Sequence, residues 1–449
     1  MFERVLIANR GEIAVRIIRA CRDMGIESVA VYSEADRECL HTMIADRAIC
    51  IGPPPSKMSY LNMTGILSAA KTSGCQAIHP GYGFLSENAD FVMLCRENEI
   101  EFIGPSHDSI LIMGDKAAAK RLMRTHRIPV IPGSDGSLKN ESEAMNVAKK
   151  ISFPVIIKAA AGGGGRGMRI ANDEKELRSL LDIARQEARS AFGNDEIYIE
   201  KYLDEPRHVE VQIAADKYGN CIHLGERDCS IQRRHQKLIE ESPAIFITER
   251  KRKEMGEIAV RAARITGYFS VGTVEFLVDK NGNYYFMEMN TRIQVEHPVT
   301  ESITGIDLVK MQLAVAAGEK IGYEQHDIKY YGHAIEFRIN AEDTANDFRP
   351  TPGRISKLLL PGGPGIRIDT HVFNGYNISS HYDSLLMKLI VWGRDRDEAI
   401  VRSIRAFSET VIEGVPTTIP FHQKILKNAF FKKGNYYTNF ISRRMSELN

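Results

Sequence analysis

A pair of apolar segments joined by Asn281-Gly282 restricts the local fold of this 449-residue chain more than any other pattern in it. The flanking segments read GTVEFLVDK and NYYFMEMN. Asn-Gly between two alternating apolar runs is typical of a β-hairpin with a two-residue type I′ turn. Counting outward from that turn pairs Glu275 with Glu288. The sequence therefore predicts a hairpin on which two carboxylates face each other.

Two facing carboxylates need a neutralising partner. Like charges directly opposite on a sheet are destabilising, so the pair requires a shared proton, a Lys or Arg, or a divalent cation. Asn290 is expected on the same face of the strand, where it adds a neutral oxygen ligand. Oxygen ligands suit Mg²⁺ or Mn²⁺, which commonly take further ligands from substrate phosphates. The hairpin predicts a metal-nucleotide site. The alternatives are two unrelated acids on an exposed face, or a one-residue bulge that breaks the pairing.

Residues 154–170, PVIIKAAAGGGGRGMRI, are rich in glycine and predict two strands joined by a glycine loop. A Rossmann or Walker loop would lead into a helix, but no helical pattern begins here before about Asp173. Glycines let backbone N–H groups approach phosphate oxygens, and Lys158 and Arg166 add positive charge. We expect a phosphate-binding flap, with a flexible turn that binds no ligand as the alternative.

Composition excludes several functional classes. The 59 Lys and Arg residues balance 58 Asp and Glu residues, so no overall positive field favours nucleic acid or anionic membranes. No membrane-spanning run or signal peptide is recognisable, which predicts a cytoplasmic protein unless a transit peptide was removed. The seven cysteines include no CxxC pair, so reduced thiols are expected rather than disulfides or a zinc site. Cys229 is expected to be a packed thiol, with a reactive thiol as the alternative.

The order of predicted elements indicates a multi-domain protein of mixed α/β and α+β class. Residues 1–113 alternate strand and helix, which is typical of a parallel sheet. Residues 114–203 are expected to form a small lid that contains the glycine flap, and residues 204–449 to be rich in strands, with long helices and the acidic hairpin. In the first domain, the loop AIHPGYGF is expected to present His79 and Tyr82 at the carboxyl edge of the sheet, where ligands often bind. Turn chemistry without a ligand is the alternative there.

Polar side chains flank the hairpin on both sides. Before it, residues 232–237 read QRRHQK, and after it NTRIQVEHP has Arg292, Gln294 and Glu296 at alternate positions. Alternate residues of an extended segment lie on one side. This set is suited to binding a small oxyanion through Arg292 and removing a proton with Glu296. Solvated charges or an ion pair on a loop are the alternatives.

Several motifs together resemble the biotin carboxylase family of the ATP-grasp superfamily. In chain order they are NRGEIAVR, HPGYGFLSEN, MGDK, GGGGRGMR, RDCSIQRRHQK and EMNTRIQVEHPVTE. The resemblance spans essentially the whole chain. It implies an ATP-grasp fold, in which a mobile lid and a β-rich C-terminal domain clamp MgATP. It also implies an ATP-dependent ligase that makes carboxybiotin, ADP and phosphate from ATP, bicarbonate and biotin.

The resemblance assigns roles to individual positions. ATP contacts are implied for Lys116, Lys158, Gly163, Gly164, Gly165, Arg166, Gly167, Glu200, Lys201, Leu203, His208, Gln232, His235, Glu275 and Glu288. Ligands for two Mg²⁺ or Mn²⁺ ions are implied for Glu275, Glu288 and Asn290. Bicarbonate contacts are implied for Lys237, Arg292, Gln294 and Val295. Glu296 is implied as the base, Arg338 as the group that stabilises the biotin enolate, and Tyr82 as a second biotin contact. Lys237 and Arg292 are also implied in catalysis.

The sequence contains no Met-Lys-Met biotin-attachment motif. The biotin is therefore expected on a separate biotin carboxyl carrier protein, with separate carboxyltransferase subunits completing the reaction. Family members are often homodimers, and neither nucleic acid nor membrane is expected as a partner. We expect an acetyl-CoA carboxylase of fatty acid synthesis, with a split pyruvate or propionyl-CoA carboxylase as the alternative. A different ATP-grasp ligase and a catalytically silent nucleotide-binding module are the rival functions.

Overall fold

The computed structural model describes residues 1–159 and 168–444, and its N-terminal region is built on a five-stranded parallel sheet. The strand order is β3-β2-β1-β4-β5. The strands are β1 Arg4–Ile7, β2 Glu27–Tyr32, β3 Arg47–Cys50, β4 Ala77–His79 and β5 Glu101–Phe102. The helices are α1 Gly11–Asp23, α2 Leu40–Ile44, α3 Met63–Ser73, α4 Ala89–Glu97 and α5 His107–Gly114. Val5, Leu6 and Ile7 are fully buried, as expected for a central parallel strand that is covered on both faces.

A smaller antiparallel sheet forms the next region, with strand order β7-β6-β8. Its elements are α6 Lys116–Thr125, α7 Glu141–Ile151, β6 Val155–Ala159, β7 Met168–Ala171, α8 Glu174–Phe192 and β8 Ile197–Lys201. Asp173 caps α8 by accepting a hydrogen bond from the Glu176 amide, so the helix begins where the sequence predicts. The two strands that flank the glycine loop are confirmed. Gly163, Gly164, Gly165, Arg166 and Gly167 lie outside the described residues.

The rest of the chain surrounds an eight-stranded sheet of order β13-β12-β9-β10-β11-β14-β21-β19. Its strands are β9 Arg207–Ala215, β10 Cys221–Arg233, β11 Gln236–Ser242, β12 Ser270–Val278, β13 Tyr284–Asn290, β14 His333–Asn340, β19 Ile366–Thr370 and β21 Leu385–Gly393. Shorter strands are β15 Glu342–Asp343, β16 Arg349–Pro350, β17 Gly353–Arg354, β18 Lys357–Leu359, β20 Asn377–Ile378 and β22 Val411–Glu413. The helices are α9 Glu249–Ile265, α10 His297–Thr304, α11 Leu308–Ala316, α12 Arg396–Glu409, α13 Ile419–Lys427, α14 Ala429–Lys432 and α15 Phe440–Arg444.

The predicted hairpin is β12–β13, but its turn differs from the prediction. Asp279 and Asn283 close the loop, with the Asp279 amide donating to the Asn283 carbonyl, so three residues rather than two form the turn. That loop shifts the pairing by one residue, and Phe276 pairs with Phe286. A bulge in β13 between Phe286 and Glu288 then restores the pairing of Glu275 with Glu288. The predicted type I′ turn is therefore wrong, whereas the predicted pairing of the two glutamates is confirmed.

The seven cysteines, all within the described residues, are free thiols, and only Cys50 is exposed. Cys229 is completely buried, and burial raises the pKa of its thiol well above the usual value. A packed rather than reactive thiol is thus confirmed at this position. Across residues 1–159 and 168–444, none of the helices is long and apolar enough to cross a membrane. The domain boundaries after residues 113 and 203 stay predictions.

Candidate active site

A cleft of about 990 Å³ brings together the polar residues singled out in the sequence. Side chains from all three regions line it. The predicted site residues that line it are Tyr82, Lys116, Lys158, Lys201, Leu203, His208, Gln232, His235, Lys237, Glu275, Glu288, Asn290, Arg292, Gln294, Val295, Glu296 and Arg338. Glu200 lies beside the cleft, where its Oε2 is 2.6 Å from Lys158 Nζ. Apolar side chains that were not predicted, Ile131, Ile156, Leu277 and Met287, also line it.

A row of three glutamates crosses three neighbouring strands on the cleft side of the large sheet. Glu275 on β12 pairs with Glu288 on β13 and, on its other side, with Glu210 on β9. Cross-strand neighbours of this kind have Cβ atoms about 4.5–5.5 Å apart, so three unscreened carboxylates would repel one another. Lysines meet this need: Lys237 contacts Glu210 and Glu275, and Lys116 Nζ lies 2.5 Å from Glu288 Oε2.

Glu275 is the most heavily hydrogen-bonded member of the row. Its Oε1 accepts from Lys237 at 2.9 Å, from Asn290 at 2.9 Å and from Gln294 at 3.0 Å. Its Oε2 lies 2.9 Å from His208 Nε2. Burial raises the pKa of Glu275, but the charges of Lys237 and His208 outweigh burial and hold that pKa far below the usual value. Glu275 is therefore a fixed anion.

Lys237 joins the glutamate row to Glu296. Its Nζ lies 2.6 Å from Glu210, 2.9 Å from Glu275 and 2.6 Å from Glu296. Burial lowers the pKa of Lys237, yet these three carboxylates together raise it well above the usual value. The buried ammonium group of Lys237 thus neutralises part of the negative charge of all three carboxylates. It is the electrostatic centre of the site.

Glu296 is completely buried at the N-terminal end of α10. Its Oε2 lies 2.9 Å from a guanidinium nitrogen of Arg338. Burial raises its pKa, but Lys237, Arg338 and Arg227 reverse the effect and keep that pKa well below the usual value. As arranged, Glu296 is a weak base. Loss of a contact with one of these cations would raise that pKa.

The segment that contains Arg292, Gln294 and Glu296 is not extended along its length, because it turns into α10 at Glu296. Arg292 and Gln294 nevertheless meet, with a 2.9 Å hydrogen bond from the guanidinium to Gln294 Oε1. Arg292 also donates to Glu87 Oε2 at 2.8 Å and to Asn290 Oδ1 at 3.1 Å. The guanidinium is thereby held at the cleft wall, next to the glutamate row.

The lysines of the lid region form a second cluster around Glu200. Both Lys120 and Lys158 contact its carboxylate. Burial raises the pKa of Glu200, but the two ammonium groups bring it below the usual value. Burial also lowers the pKa of Lys120 more than Glu200 raises it. In this arrangement, Glu200 neutralises part of the positive charge of Lys120 and Lys158.

Tyr82 is anchored from the other side of the cleft. Its hydroxyl donates to Glu12 on α1, and Glu12 Oε1 lies 3.0 Å from the buried Lys388 Nζ. Lys388 in turn donates to the Val295 carbonyl oxygen at 2.9 Å. His79, by contrast, is completely buried and its Nδ1 accepts from the Gly81 amide, so it does not reach the cleft.

Several of these supporting residues were not found from the sequence. Glu210 could have been found, because His208, Glu210 and Gln212 alternate along β9 and therefore share one face. Lys120 could also have been found, because it lies four residues after Lys116 on α6 and therefore on the same helix face. Glu87 follows no comparable pattern and is recognisable only from the contact with Arg292 that the fold creates.

The small antiparallel sheet β7-β6-β8 and the large antiparallel sheet enclose a cleft lined by lysines and carboxylates. This combination defines an ATP-grasp enzyme. Residues 1–127 match the family model "Biotin carboxylase, N-terminal domain". Residues 115–323 match "Carbamoyl-phosphate synthase L chain, ATP binding domain", and residues 336–443 match "Biotin carboxylase C-terminal domain".

A curated relative matches nearly the full chain. Biotin carboxylase 1 of Bacillus subtilis is 56% identical over 442 residues, which is 98% of each chain. Together with the three family models, this match places nearly the whole length of the chain in one family. The chain belongs to the biotin carboxylase family.

Solved structures agree with this assignment. The biotin carboxylase domain dimer of Hydrogenobacter thermophilus 2-oxoglutarate carboxylase, in complex with MgADP, ADP and bicarbonate, is 49% identical with a TM-score of 0.94. The match covers 100% of this chain and 99% of that one. The biotin carboxylase subunit of a pyruvate carboxylase is 48% identical with a TM-score of 0.89, covering 100% of this chain and 99% of that one. The ATP-grasp fold predicted from the sequence is confirmed.

Proposed function

We propose that this chain carboxylates biotin with bicarbonate at the expense of ATP, by way of carboxyphosphate. The observation that supports this most directly is the position of Lys237. It joins Glu275, on the carboxylate row suited to a metal-nucleotide complex, to the buried Glu296. Arg292 and Arg338 line the same cleft. A site of this composition can hold a small oxyanion next to both a base and a nucleotide phosphate.

The cations of the cleft would bind bicarbonate. Lys237, Arg292 and Arg338 are each paired with carboxylates here, and an incoming oxyanion would share or replace those partners. Gln294, whose amide already bonds Glu275 and Arg292, would orient the anion beside Val295. When bicarbonate takes over part of the charge of Lys237, the pKa of Glu296 rises toward the value that a general base needs.

The first step is deprotonation of bicarbonate by Glu296. The hydroxyl proton passes to a Glu296 oxygen, a bicarbonate oxygen forms a bond to the γ-phosphorus, and the bond from that phosphorus to the β,γ-bridging oxygen breaks to release ADP. Phosphoryl transfer depends mainly on positioning and charge neutralisation. Lys116 and Lys158 supply positive charge for this step, as would the glycine loop and Arg166.

The donor set fits Mg²⁺ or Mn²⁺, which favour carboxylate, amide and substrate oxygens. Glu275, Glu288 and Asn290 would hold the ions, and Glu288 is the more accessible carboxylate, with 23% of its side chain exposed against 4% for Glu275. Bound there, a divalent ion supplies charge neutralisation for the phosphates.

The second step uses the products of the first. Carboxyphosphate breaks into CO₂ and phosphate, and the phosphate takes the ureido N–H proton of biotin. The nitrogen then forms a bond to the carbon of CO₂. Arg338 would stabilise the negative charge on the ureido oxygen, and Tyr82 would contact the ring. Closure of the lid would exclude water, which otherwise hydrolyses carboxyphosphate.

The biotin is proposed to arrive on a separate biotin carboxyl carrier protein, and separate carboxyltransferase subunits would use the product. Acetyl-CoA is the proposed acceptor, in a cytoplasmic fatty acid synthesis enzyme. A split pyruvate or propionyl-CoA carboxylase is the alternative, since one solved relative at 48% identity belongs to a pyruvate carboxylase. A homodimer is proposed on the basis of the dimeric Hydrogenobacter relative.

The test is ADP release by the purified chain with Mg²⁺ and free biotin, with and without bicarbonate. We expect release to require bicarbonate and to rise with biotin. Arg338→Ala should lower the rate at saturating ATP and leave ATP affinity unchanged. Release that depends on an amine acceptor instead would identify a different ATP-grasp ligase. ATP binding without any turnover would identify a nucleotide-binding module.

A further inference from the structure

Two buried glutamates lie beneath Arg338 and have no role in the proposed reaction. Glu240 on β11 pairs directly with Glu336 on β14, and both residues are completely buried. Like charges directly opposite on a sheet repel each other. An isolated carboxylate in a protein interior takes up a proton rather than remain charged. The pair therefore cannot carry two full negative charges without compensation.

The two glutamates differ in their partners. Arg338 has a guanidinium nitrogen 2.5 Å from Glu240 Oε1, and the same nitrogen lies 2.9 Å from Glu296 Oε2. None of the four carboxylate oxygens of Glu240 and Glu336 has a hydrogen-bond partner of good geometry among the described residues, so the ion pair with Arg338 is what distinguishes Glu240. The same part of the chain also offers Glu336 no salt bridge. Charge compensation thus favours an ionised Glu240 and a protonated Glu336.

The charges around Glu336 support this division. The groups that act on it are Glu240 on β11, Arg338 on β14, Lys388 on β21 and Glu296 at the start of α10. Lys388 is already engaged by Glu12 and by the Val295 carbonyl. His297, also at the start of α10, is neutral because burial brings its pKa well below the usual value.

The two acids also differ in how tightly they hold a proton. Burial raises the pKa of Glu336 well above the usual value. Burial raises the pKa of Glu240 as well, but the charge of Arg338 opposes it, and that pKa reaches only about 7. Glu336 is therefore the stronger proton acceptor of the pair.

We propose that the Glu240–Glu336 pair holds one proton, carried by Glu336, and that the ionised Glu240 is a positioning residue for Arg338. This inference rests on the proposed function. When Glu296 accepts the bicarbonate proton, Arg338 loses one of its two carboxylate partners. Glu240 keeps the second contact, so the guanidinium stays at the cleft while the biotin ureido oxygen becomes negative.

The two glutamine variants should behave differently. Glu240→Gln removes the lasting anionic partner, and we expect kcat for biotin-dependent ADP release to fall about 10- to 100-fold with KM for ATP unchanged. Glu336→Gln replaces a neutral acid by a neutral amide and should retain kcat within about 3-fold. Glu240→Asp, which keeps the charge, should recover part of the loss. Equal losses in both glutamine variants, or none in Glu240→Gln, would overturn the proposal.

A second measurement does not depend on activity. The infrared spectrum of the wild type minus that of Glu336→Gln should contain the C=O stretch of a protonated carboxylic acid at about neutral pH. The same difference for Glu226→Gln should lack it, because Glu226 is a buried carboxylate that is paired with Arg252 away from the cleft. Absence of the band in the Glu336→Gln difference contradicts the proton assignment. If wild-type ADP release is independent of bicarbonate, the proposed function fails, but the infrared result still decides the protonation of the pair.

Discussion

Glu275 and Glu288 lie directly opposite each other on adjacent strands, yet the two carboxylates have different surroundings. Glu275 is buried and bonded to Lys237, whereas Glu288 reaches the cleft and contacts Lys116. The buried carboxylate is part of the fixed electrostatic framework. We expect the accessible one, which is the proposed metal ligand, to exchange its ammonium partner for a metal ion when a nucleotide binds.

Glu288→Gln should therefore weaken the binding of the metal ion specifically. We expect the Mg²⁺ concentration for half-maximal ADP release to rise at least about 10-fold, because an anionic oxygen ligand is lost. The measurement is a Mg²⁺ titration at fixed ATP. Glu413→Gln changes an exposed glutamate paired with Lys357 and is the matched control. An unchanged titration curve for Glu288→Gln rules out this carboxylate as a ligand.

Lys237→Gln should reduce both stability and activity. The substitution leaves Glu210, Glu275 and Glu296 buried without their shared cation, and breaking buried pairs typically costs about 3–5 kcal/mol. In the wild type, Lys237 holds the pKa values of Glu275 and Glu296 below the usual value. That stabilisation is present above the unfolded carboxylate pKa of about 4.3 and is lost as the pH falls.

The difference in unfolding free energy between wild type and Lys237→Gln should accordingly narrow as the pH falls from about 5 to about 3. Urea denaturation at both pH values measures it. Lys357→Gln removes an exposed lysine and should show no such narrowing. A difference that is constant across this range would mean that the three carboxylates are not compensated by Lys237.

Glu87→Gln should raise KM for bicarbonate and leave KM for ATP unchanged. Glu87 accepts from Arg292 Nε at 2.8 Å and from the Thr291 amide at 3.0 Å, so it orients the proposed bicarbonate-binding guanidinium. Loss of a charged hydrogen bond of this type costs about 1.5–3 kcal/mol, which predicts a rise of about 10-fold or more in KM for bicarbonate. Initial rates at varied bicarbonate and ATP separate the two effects. Glu97→Gln, on the exposed side of α4, is the control, and a selective rise in KM for ATP would contradict the assignment.

Glu241 gives a pH-dependent contribution to stability away from the cleft. It contacts His333 at 2.6 Å and Arg396 at 2.7 Å, and it accepts a hydrogen bond from Tyr436. Burial raises its pKa, but Arg396 and His333 outweigh burial and lower the pKa from 4.5 to about 2. The stabilisation is present above the unfolded pKa and disappears as the pH falls through about 2.

The Glu241→Gln variant should therefore unfold more easily than the wild type, and the difference in free energy of unfolding should be largest at neutral pH. That difference should shrink as the pH falls below about 4.3. Thermal unfolding across this pH range measures the effect. Tyr436→Phe removes one hydrogen bond without removing the charge and should show a smaller effect of the same sign. A difference that grows in acid would mean that Glu241 is not ionised in the folded state.

The β12–β13 hairpin shows which features of a fold short-range sequence patterns can predict. Turn chemistry and alternation correctly predicted the two strands and the pairing of Glu275 with Glu288. They missed the three-residue loop and the bulge between Phe286 and Glu288, whose shifts in register cancel. Loop length and bulges depend on how the strands twist and pack within the sheet, so a count along the chain cannot detect two compensating shifts.

The sequence by itself determined the parallel N-terminal sheet, the strands around the glycine loop and many of the charged side chains that line the cleft. These follow from short-range periodicity, turn residues and family motifs. Only the tertiary structure decided which charges meet, such as Lys237 with Glu210, Arg292 with Glu87, and Glu240 with Glu336. The physical reason is that these contacts join residues far apart in the chain, through a strand order and register that the whole packed sheet sets.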